Sequence, residues 1–380
     1  MFANLSSRWS MSCPNIHREA EIKAQPMTFL PQTRPHIAWW PHTTDKRVAS
    51  YRLRCLQVMN GLQERGYKTS LWNPDRELPD VLVLSKRFDS KSIRTIVEIA
   101  DENNLPWVLD FCDNYFDVDI NDTFWLDRKR SLVNAAENAT SVVNSSRALS
   151  EVTHRNCSLK SSINVIADAV EPMVPMGLRS MFSSPSLILQ ASLYAARMKS
   201  SFPDRRRRLV WFGNAASPHA SGGMSDITAL KSTLEKVHQK KPIQLTIISN
   251  DLPLFKKLFS GWHVPVSYLP WSIHTFSWLL RQHGTCLIPA NLNEFTLCKT
   301  NNRLLTAIEH DVLPVYDPIP SYLEFESFMP AGVNMRNINK AITCDKPDDL
   351  ISQAKEFAKR KYGLQSILNQ WESLFNGIFS

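Results

Sequence analysis

The sequence predicts an α/β protein built from two doubly wound, Rossmann-like parallel-sheet domains in series. Short apolar runs of strand type alternate regularly with segments of helical spacing, which is typical of a parallel sheet with helices on both faces. This alternation occurs twice, and a stretch that breaks the pattern separates the two occurrences. The chain has 380 residues, which is enough for two domain cores.

The first alternating unit covers residues 35–171 and follows residues 1–34, which we expect to be a mobile tail. The apolar residues of the tail are dispersed, and the tail lacks the apolar core of a signal peptide. Within the unit, the helical segment after the first strand ends at Gly66. The predicted strands are, in order, HIAWW, DVLVLSK, PWVLDF, SVVNS and INVIADAVE.

Residues 172–208 interrupt the alternation and form a predicted linker or insertion. They contain one predicted helix, from about Ser186 to Lys199, and end in four consecutive arginines at 205–208. An apolar helix beside a basic cluster is typical of peripheral contact with an anionic membrane surface. Alternatively, the apolar side chains cover the N-terminal domain and leave the arginines in solvent.

The second alternating unit covers residues 209–345, and a C-terminal helical segment, residues 346–380, follows it. Gly363 is expected to kink or divide that segment. Ligands bind beyond the carboxyl ends of the strands in doubly wound sheets, so residues that directly follow a strand are site candidates. The predicted strands are RLVWFG, IQLTIISN, VPVSYL, TCLIPA and LPVY.

The composition limits the compartment and the partners. Seven cysteines occur without C-x-x-C pairs or zinc spacing, which indicates a reducing compartment and a cytoplasmic protein. No apolar run reaches the length of a membrane span, so contact with the inner face of a membrane would be peripheral. The net charge of +8 favours an anionic partner. Because the basic residues are spread and no aromatic–basic motif occurs, we expect no nucleic-acid partner.

Lys299 and Arg303 follow the predicted strand TCLIPA, at the start of a helix expected to begin near Thr300. Two cations four residues apart on a helix repel each other, and at the helix N-terminus they also oppose the helix dipole. A bound diphosphate would offset both penalties and would bind the free N–H groups of the first turn. The alternative is a solvated basic turn, where the repulsion is only a few tenths of a kcal/mol.

The segment EFTLCKTNNRLLTAIEHDVLPVYDPIPSY resembles the nucleotide-sugar-binding segment of GT-B-fold glycosyltransferases (glycosyl transferases group 1, or family-4-like), in the subgroup with the pattern Lys-x-x-Asn-(Arg/Lys)-Leu. VVNSS with INVIADAVE, RLVWFGN, VSYLPW and the C-terminal helical segment are similar to other parts of that fold. The resemblance implies two domains facing a cleft, a C-terminal helix that crosses back to the first domain, and no required metal. The matching residues are Lys299, Asn302, Arg303, Leu304, Pro314 and Val315.

The chain departs from the family pattern where many retaining members carry two glutamates separated by seven residues, the second of which holds the donor ribose. Cys298 and Thr306 occupy those positions, and Asp311 stands where the family often has glycine. Glu309 lies three residues after Thr306 on nearly the same helix face and is a candidate substitute. The alternative is that Glu309 is a solvated helix residue.

Three further donor-binding candidates follow strands of the second unit. Gly213 and Asn214 end the strand RLVWFG, and glycine lets a backbone approach a ligand closely. The alternative is an ordinary turn glycine. Trp271 follows VSYLP, where the resemblance implies the nucleotide base; it packs against the base or belongs to an interdomain core.

The catalytic candidates belong to the first unit. Asp113 is the first choice and Asp110 the second, because both lie at the carboxyl end of PWVLDF, where a carboxylate can accept a hydroxyl proton or stabilise an oxocarbenium ion. Capping of the following segment is the alternative role. His42 is a third candidate base, or simply a loop residue. The DVD triplet, residues 117–119, imitates an Asp-x-Asp metal motif, but we predict no metal site.

The resemblance implies a glycosyltransferase that moves a sugar from a nucleotide-diphosphate donor to a glycan or lipid-linked acceptor, as in polysaccharide biosynthesis, without a cofactor. A sugar-nucleotide 2-epimerase is a second enzyme class on this fold, but it needs acidic and histidine residues that converge at the cleft. A non-catalytic GT-B protein that binds a sugar nucleotide or a partner is the remaining alternative, and Thr306 in place of glutamate supports it.

Overall fold

The structure is a computed structural model that describes residues 34–118, 121–161, 163–173, 185–217 and 220–380. The predicted tail lies outside the described residues, apart from its last residue, Arg34. Residues 174–184 of the predicted linker and Asp119 of the DVD triplet also lie outside them.

The first sheet has six parallel strands in the order β2-β1-β3-β4-β5-β6, which confirms the predicted doubly wound architecture. Its second strand was not predicted, because it is short and its first three residues are polar. The strands are β1 His36–Pro41, β2 Lys68–Leu71, β3 Val81–Ser85, β4 Trp107–Phe111, β5 Ser141–Asn144 and β6 Ile163–Val165.

Helices cover both faces of this sheet and enclose a hydrophobic core on each side. Three of them begin at side-chain caps, in which Asp89, Asp122 and Ser146 accept hydrogen bonds from backbone N–H groups of the first turn. The elements are a π-helical turn Tyr51–Leu56 that continues into α1 Gln57–Glu64, then α2 Ser90–Asn103, α3 Thr123–Asn138 and α4 Arg147–Asn156.

The second sheet has five parallel strands in the order β11-β10-β7-β8-β9. The chain direction across the sheet reverses between β7 and β10, which is the topological switch point where open α/β sheets bind ligands. The strands are β7 Arg208–Phe212, β8 Gln244–Ser249, β9 Val266–Pro270, β10 Thr285–Ile288 and β11 Leu313–Tyr316.

The helices of the second half follow the predicted alternation. None of the described helices is both long and apolar enough to cross a membrane. They are α5 Pro185–Ser201, α6 Lys231–Lys240, α7 Leu252–Phe259, α8 Phe276–Leu280, α9 Glu294–Leu297, α10 Asn302–Glu309, α11 Met335–Thr343, α12 Pro347–Tyr362 and α13 Leu364–Phe379, with 3-10 turns at Arg205–Arg207, Met224–Leu230 and Leu323–Phe325.

Helix α5 packs on the second sheet. Its buried stripe includes Ala191, which belongs to the core of the second domain, and the Tyr194 hydroxyl lies 2.6 Å from Thr246 Oγ1 on β8. The expectation that these apolar side chains cover the N-terminal domain is therefore wrong. Leu189 and Leu193 remain exposed on the outer face of the helix.

The arginines at 205–208 form hydrogen bonds and ion pairs with other groups of the protein. Arg208 is buried and donates hydrogen bonds to three backbone carbonyls, and Arg205 donates to two more. Arg206 pairs with Asp204 and donates to a carbonyl after α11. These contacts offset the repulsion among the four cations, so the expectation that the arginines stand in solvent is wrong for Arg205, Arg206 and Arg208. The accepting carbonyls belong to Phe202, Pro203, Arg281, Gln282, Asp311 and Cys344.

The C-terminal helix crosses back to the first domain, as the resemblance implied. Helix α12 packs on the second domain, and Gly363 separates it from α13. The ring centres of Trp371 and Phe375 on α13 lie 6.2 and 6.3 Å from that of Trp39 on β1, in edge-to-face contact. Because α12 packs on the second domain and α13 on the first, these buried aromatic contacts connect the two domains at the end of the chain.

Candidate active site

A cleft of about 1100 Å³ lies between the two sheets, at the carboxyl ends of their strands. His42, Lys86 and Asp113 come just after β1, β3 and β4 of the first sheet, and all three line it. Gly213 and Trp271 come directly after β7 and β9 of the second sheet and line the other side. Both sheets therefore present their switch points to the same space.

The segment that carries the predicted phosphate-binding residues contains two short helices. Asn293 caps α9, accepting from the backbone N–H groups of Phe295 and Thr296 at 3.1 and 2.9 Å. Helix α10 begins at Asn302, not near Thr300, so Lys299 lies in the turn before it. The predicted helical spacing of Lys299 and Arg303 is therefore wrong, although both side chains line the cleft.

Hydrogen bonds from the first domain hold this segment in place. Ser146 Oγ donates to the Cys298 carbonyl at 2.7 Å, and Thr300 Oγ1 donates to Asp168 Oδ2 at 3.0 Å. Asn114 Nδ2 donates to the Glu294 carbonyl at 3.1 Å. These contacts bracket Lys299 on both sides, so its backbone position is set by the first domain.

Lys299 and Asp113 meet across the cleft. The Asp113 carboxylate forms ion pairs with Lys299 of the second domain and Lys86 of the first. Burial opposes ionisation, but the two lysines hold the pKa of Asp113 well below its usual range. The two residues ranked first for catalysis and for phosphate binding therefore share one site, and Asp113 is anionic at every physiological pH.

Lys86 was not singled out in the sequence, although it is the last residue of a predicted strand, DVLVLSK, and directly follows the observed strand β3. Its backbone lies in the left-handed region, with φ of 54°, which is uncommon for a residue with a side chain. Burial opposes its charge, but Asp113 raises its pKa well above the ordinary value. Position after a strand was the signal that could have found it.

Arg303 stands in the first turn of α10 and points to the switch point. Its guanidinium lies 5.3 Å from the centre of the Trp211 ring and packs over Gly213. Gly213 has φ of 152°, and a Cβ on this residue would collide with the guanidinium. Among the residues that the structure describes, Arg303 has no hydrogen-bond or carboxylate partner, so its donors are available to a ligand.

Asp226 is a further cleft residue that the sequence did not single out. Its carboxylate accepts a hydrogen bond from the Gly223 N–H at 3.0 Å. Burial raises its pKa, and the charge of Arg303 opposes that shift. No strand end or motif marked it, since it lies inside the 3-10 turn Met224–Leu230.

The other predicted donor-binding residues are distributed as follows. Asn214, Asn302 and Thr306 line the cleft, and the Thr306 hydroxyl donates to Asn302 Oδ1 at 3.2 Å. Trp271 also lines it, with the guanidinium of Arg52 from the first domain 5.5 Å from its ring centre. The indole thus takes part in a contact between the domains.

Glu309 does not line the cleft. Its side chain is offset from that of Thr306 and lies on the part of α10 that faces helix α12. Burial raises its pKa, while Lys355 and Lys359 of α12 lower it. The prediction that Glu309 substitutes for the ribose-binding glutamate is therefore wrong, because three residues fall about 60° short of a full helical turn and Glu309 lies beside the lysines of α12.

Asp110 does not face the cleft either, and its prediction as a catalytic residue is wrong. It is fully buried inside the first domain, where Arg54 Nε donates to its carboxylate at 2.9 and 3.1 Å and Ser85 Oγ at 2.8 Å. Successive side chains on a strand point to opposite faces, and Asp110 points to the face that Arg54 covers. Arg54 Nη1 also donates to Asp168 Oδ1 at 3.0 Å.

His42 lines the cleft with an exposed ring. Partial burial, followed by the positive charges of Lys86, Arg87 and Arg128, lowers its pKa below the ordinary 6.5. Within the described ranges, the ring has no hydrogen-bond partner. A neutral imidazole with a free nitrogen can accept a proton at pH 7.

No group of three metal-ligating side chains occurs in the part of the chain that the structure describes. The cations Lys299, Arg303 and Lys86 supply the positive charge at the cleft centre.

No protein-family model and no curated protein matches this chain. Solved structures do match its fold. HepE of Anabaena, in complex with UDP-glucose, superposes with a TM-score of 0.59 over 90% of this chain and 100% of its own, at 12% identity. The chain has the GT-B fold.

Two other GT-B structures agree with this assignment. Sucrose-phosphate synthase from Thermosynechococcus elongatus has a TM-score of 0.59 at 11% identity, covering 91% of this chain and 99% of its own. The E. coli trehalose-6-phosphate protein bound with UDP-2-fluoro glucose has a TM-score of 0.54 at 8% identity, covering 89% of this chain and 98% of its own. At these identities the similarity is one of fold.

Proposed function

We propose that this protein transfers a sugar from a nucleotide-diphosphate donor to an acceptor hydroxyl. The observation that carries the proposal is the guanidinium of Arg303, which packs over Gly213 at the switch point and has no hydrogen-bond or carboxylate partner among the described residues. Such an arrangement leaves a cation ready for an anionic ligand. Two of the similar structures, HepE and the E. coli protein, hold UDP-sugars, which supports a nucleotide-sugar donor here.

The donor diphosphate would bind Arg303, Lys299 and the first turn of α10. Asn301 precedes that turn but its side-chain oxygen forms no cap, and its amide nitrogen donates to Glu324 Oε1 at 3.1 Å. The first N–H groups of the helix are therefore left for phosphate oxygens, and the helix dipole favours the same charge. Charge that develops on the leaving diphosphate would be stabilised by cations already in place.

The rest of the donor would lie along the second domain. Trp271 offers an indole face for the nucleobase, and Asn302 and Thr306 offer hydrogen bonds to the ribose in place of the glutamate of other family members. Transfer without a metal stays a prediction, as does the absence of any other cofactor. It rests on the fact that Lys299 and Arg303 carry charges that a metal would otherwise supply.

We assign proton removal from the acceptor hydroxyl to His42. Asp113, our first choice from the sequence, is a weak base while two lysines neutralise it. When Lys299 moves to the donor phosphates, Asp113 loses one of these cations and can stabilise positive charge on the transferred sugar. His42, whose pKa lies below 6.5, is mainly neutral at pH 7, and its ring has no hydrogen-bond partner among the described residues.

His42→Gln is expected to lower kcat about 100-fold or more, because a positioned general base typically contributes that much. In the unmodified protein, kcat/KM should fall as the pH drops through the lowered pKa of His42, below 6.5, since protonation removes the base. This acidic limb should disappear in His42→Gln. His154→Gln, an exposed histidine on α4 outside the cleft, is the matched control. An unchanged pH profile in His42→Gln would exclude the assignment.

The donor is tested by measuring the melting temperature with a panel of nucleoside diphosphates and by following sugar release from UDP-glucose. A ligand at 100 times its Kd adds about 2.7 kcal/mol to the stability, which raises the melting temperature measurably. The proposal is contradicted if no nucleoside diphosphate stabilises the protein.

A glycan or lipid-linked acceptor and peripheral contact with an anionic membrane also stay proposals. The exposed Leu189 and Leu193 on α5 support membrane contact, whereas the engaged arginines weaken it. Co-sedimentation with anionic vesicles at low salt tests it, and absence of binding contradicts it.

A further inference from the structure

The first-domain wall of the cleft contains an aromatic surface that the proposed chemistry does not use. Phe124, Trp125 and Arg128 all belong to the start of α3 and line the cleft. Phe124 is 57% exposed, which is unusual for a phenyl ring in a pocket. The surface lies on the domain opposite the residues assigned to the donor.

The aromatic surface is held rigidly. Trp125 stacks on Tyr115 with ring centres 5.8 Å apart and planes inclined by 14°. Tyr115 in turn packs on Phe88 at 4.9 Å, and Phe124 meets Trp125 edge to face at 5.2 Å. Rigid aromatic faces in a polar cleft suit a ligand with an apolar face and polar edges, as a sugar ring has.

Arg128 lies over this surface, with its guanidinium carbon 4.5 Å from the Phe124 ring centre and 5.8 Å from that of Trp125. Residues four apart on a helix are neighbours, so α3 itself sets the Phe124–Arg128 contact. The guanidinium is thereby ordered before any ligand arrives, which reduces the entropy lost on binding.

The charges of this wall leave Arg128 without a counterion. The other cleft-lining cations of the first domain pair with carboxylates: Arg47 with Asp45, Arg52 with Glu171, and Lys86 with Asp113. Asp168, the remaining acidic residue of the wall, pairs with Arg54. Within residues 34–118, 121–161, 163–173, 185–217 and 220–380, Arg128 has no carboxylate partner, and its buried Nε has no hydrogen bond.

The neighbourhood is positive as well. Lys86, Arg87 and Arg128 all act on His42 and lower its pKa, whereas Asp89 opposes them. Asp89 itself lies 3.7 Å from Arg87, so its charge is partly neutralised. A ligand beside His42 and Arg128 would therefore gain from carrying a negative charge.

We infer that Phe124, Trp125 and Arg128 form a subsite for an anionic sugar, in which the ring stacks on the aromatic faces and a carboxylate or phosphate group binds Arg128. Resting on the proposed function, we assign this subsite to the acceptor. A neutral acceptor would leave Arg128 without a counterion in the occupied cleft, and that would disfavour its binding.

The test is a ligand-observed NMR titration without nucleotide, using two pairs of probes: methyl glucuronide against methyl glucoside, and glucose 6-phosphate against glucose. All titrations use protein that carries Arg303→Gln, so that phosphate binding at the donor site is weakened. At least one anionic probe is expected to bind about five- to tenfold tighter than its neutral partner. The probe pair with the larger difference in affinity shows whether the subsite prefers a uronic acid or a sugar phosphate.

Adding Arg128→Gln should abolish the preference for the charged probe, and adding Phe124→Ala should weaken the charged and neutral probes alike. Arg130→Gln, an exposed arginine on the same helix outside the cleft, is the control and should retain the preference. Equal binding of charged and neutral probes, or a preference that survives Arg128→Gln, overturns the inference. Failure of the unmodified protein to bind nucleoside diphosphates contradicts the proposed function instead, because no nucleotide is present in these titrations.

Discussion

Arg303→Ala is expected to weaken nucleoside-diphosphate binding between about tenfold and 100-fold, with no loss of folding. Charge-assisted hydrogen bonds contribute roughly 1.5–3 kcal/mol to binding. Arg303 does not have to break a hydrogen bond or ion pair with any described residue before it binds a phosphate. Lys299→Ala should have a smaller effect, since Lys299 must first leave Asp113. Isothermal titration with the nucleoside diphosphate that best stabilises the protein measures both.

Two further variants make this prediction specific. Gly213→Ala leaves Arg303 in the sequence but displaces its guanidinium, so affinity should fall towards that of Arg303→Ala. Arg360→Ala removes the same charge from the exposed surface of α12 and should leave affinity unchanged. Equal affinity in Arg303→Ala and Arg360→Ala would remove Arg303 from the donor site.

Arg54→Met is expected to lower the free energy of unfolding by about 3–5 kcal/mol, the usual effect of removing one partner of a buried ion pair. Arg54 is 3% exposed, and its loss leaves the carboxylates of Asp110 and Asp168 without their cation. Burial opposes the guanidinium charge, but these two carboxylates raise its pKa overall. Urea denaturation followed by circular dichroism measures the change.

Asp110→Asn in the Arg54→Met background should recover part of the lost stability, because it removes one of the unpaired buried charges. Arg360→Met breaks an exposed pair with Glu356 and should change stability by less than about 0.5 kcal/mol. Arg54→Met as stable as the unmodified protein would contradict the structural role of Asp110.

The cleft itself could be predicted from strand ends. The sequence marks the apolar runs clearly, and parallel strands bring their carboxyl ends to one edge. The cleft residues at the ends of these runs are His42, Lys86, Asp113, Gly213 and Trp271. The order of the strands across each sheet could not be predicted, because pairing between strands distant in the sequence leaves no signal in the local sequence.

The sequence did not predict the direction in which individual polar side chains point. Asp110 and Asp113 stand three residues apart around the end of one strand, yet only Asp113 lines the cleft. Along β4 both faces of the sheet are covered, so the hydrophobic pattern does not alternate and does not tell which side a polar residue faces. Glu309 was misplaced for a related reason, because it is offset from Thr306 by about 60° around α10 and packing against α12 decides which of the two faces the cleft.

Local periodicity and residue type were enough to predict the two alternating units, all of their strands except β2, and the cationic segment after TCLIPA. Which of the charged side chains remain unpaired depends on contacts that form when the chain folds. Asp113 and Lys299, 186 residues apart, neutralise each other across the cleft, and Arg54 neutralises Asp110 inside the first domain. Arg303 and Arg128 retain their charge for a ligand because no carboxylate of the described chain forms an ion pair with them. Whether a charged side chain binds a ligand or stabilises the fold thus depends on its partners. Distant segments supply those partners only when the chain folds.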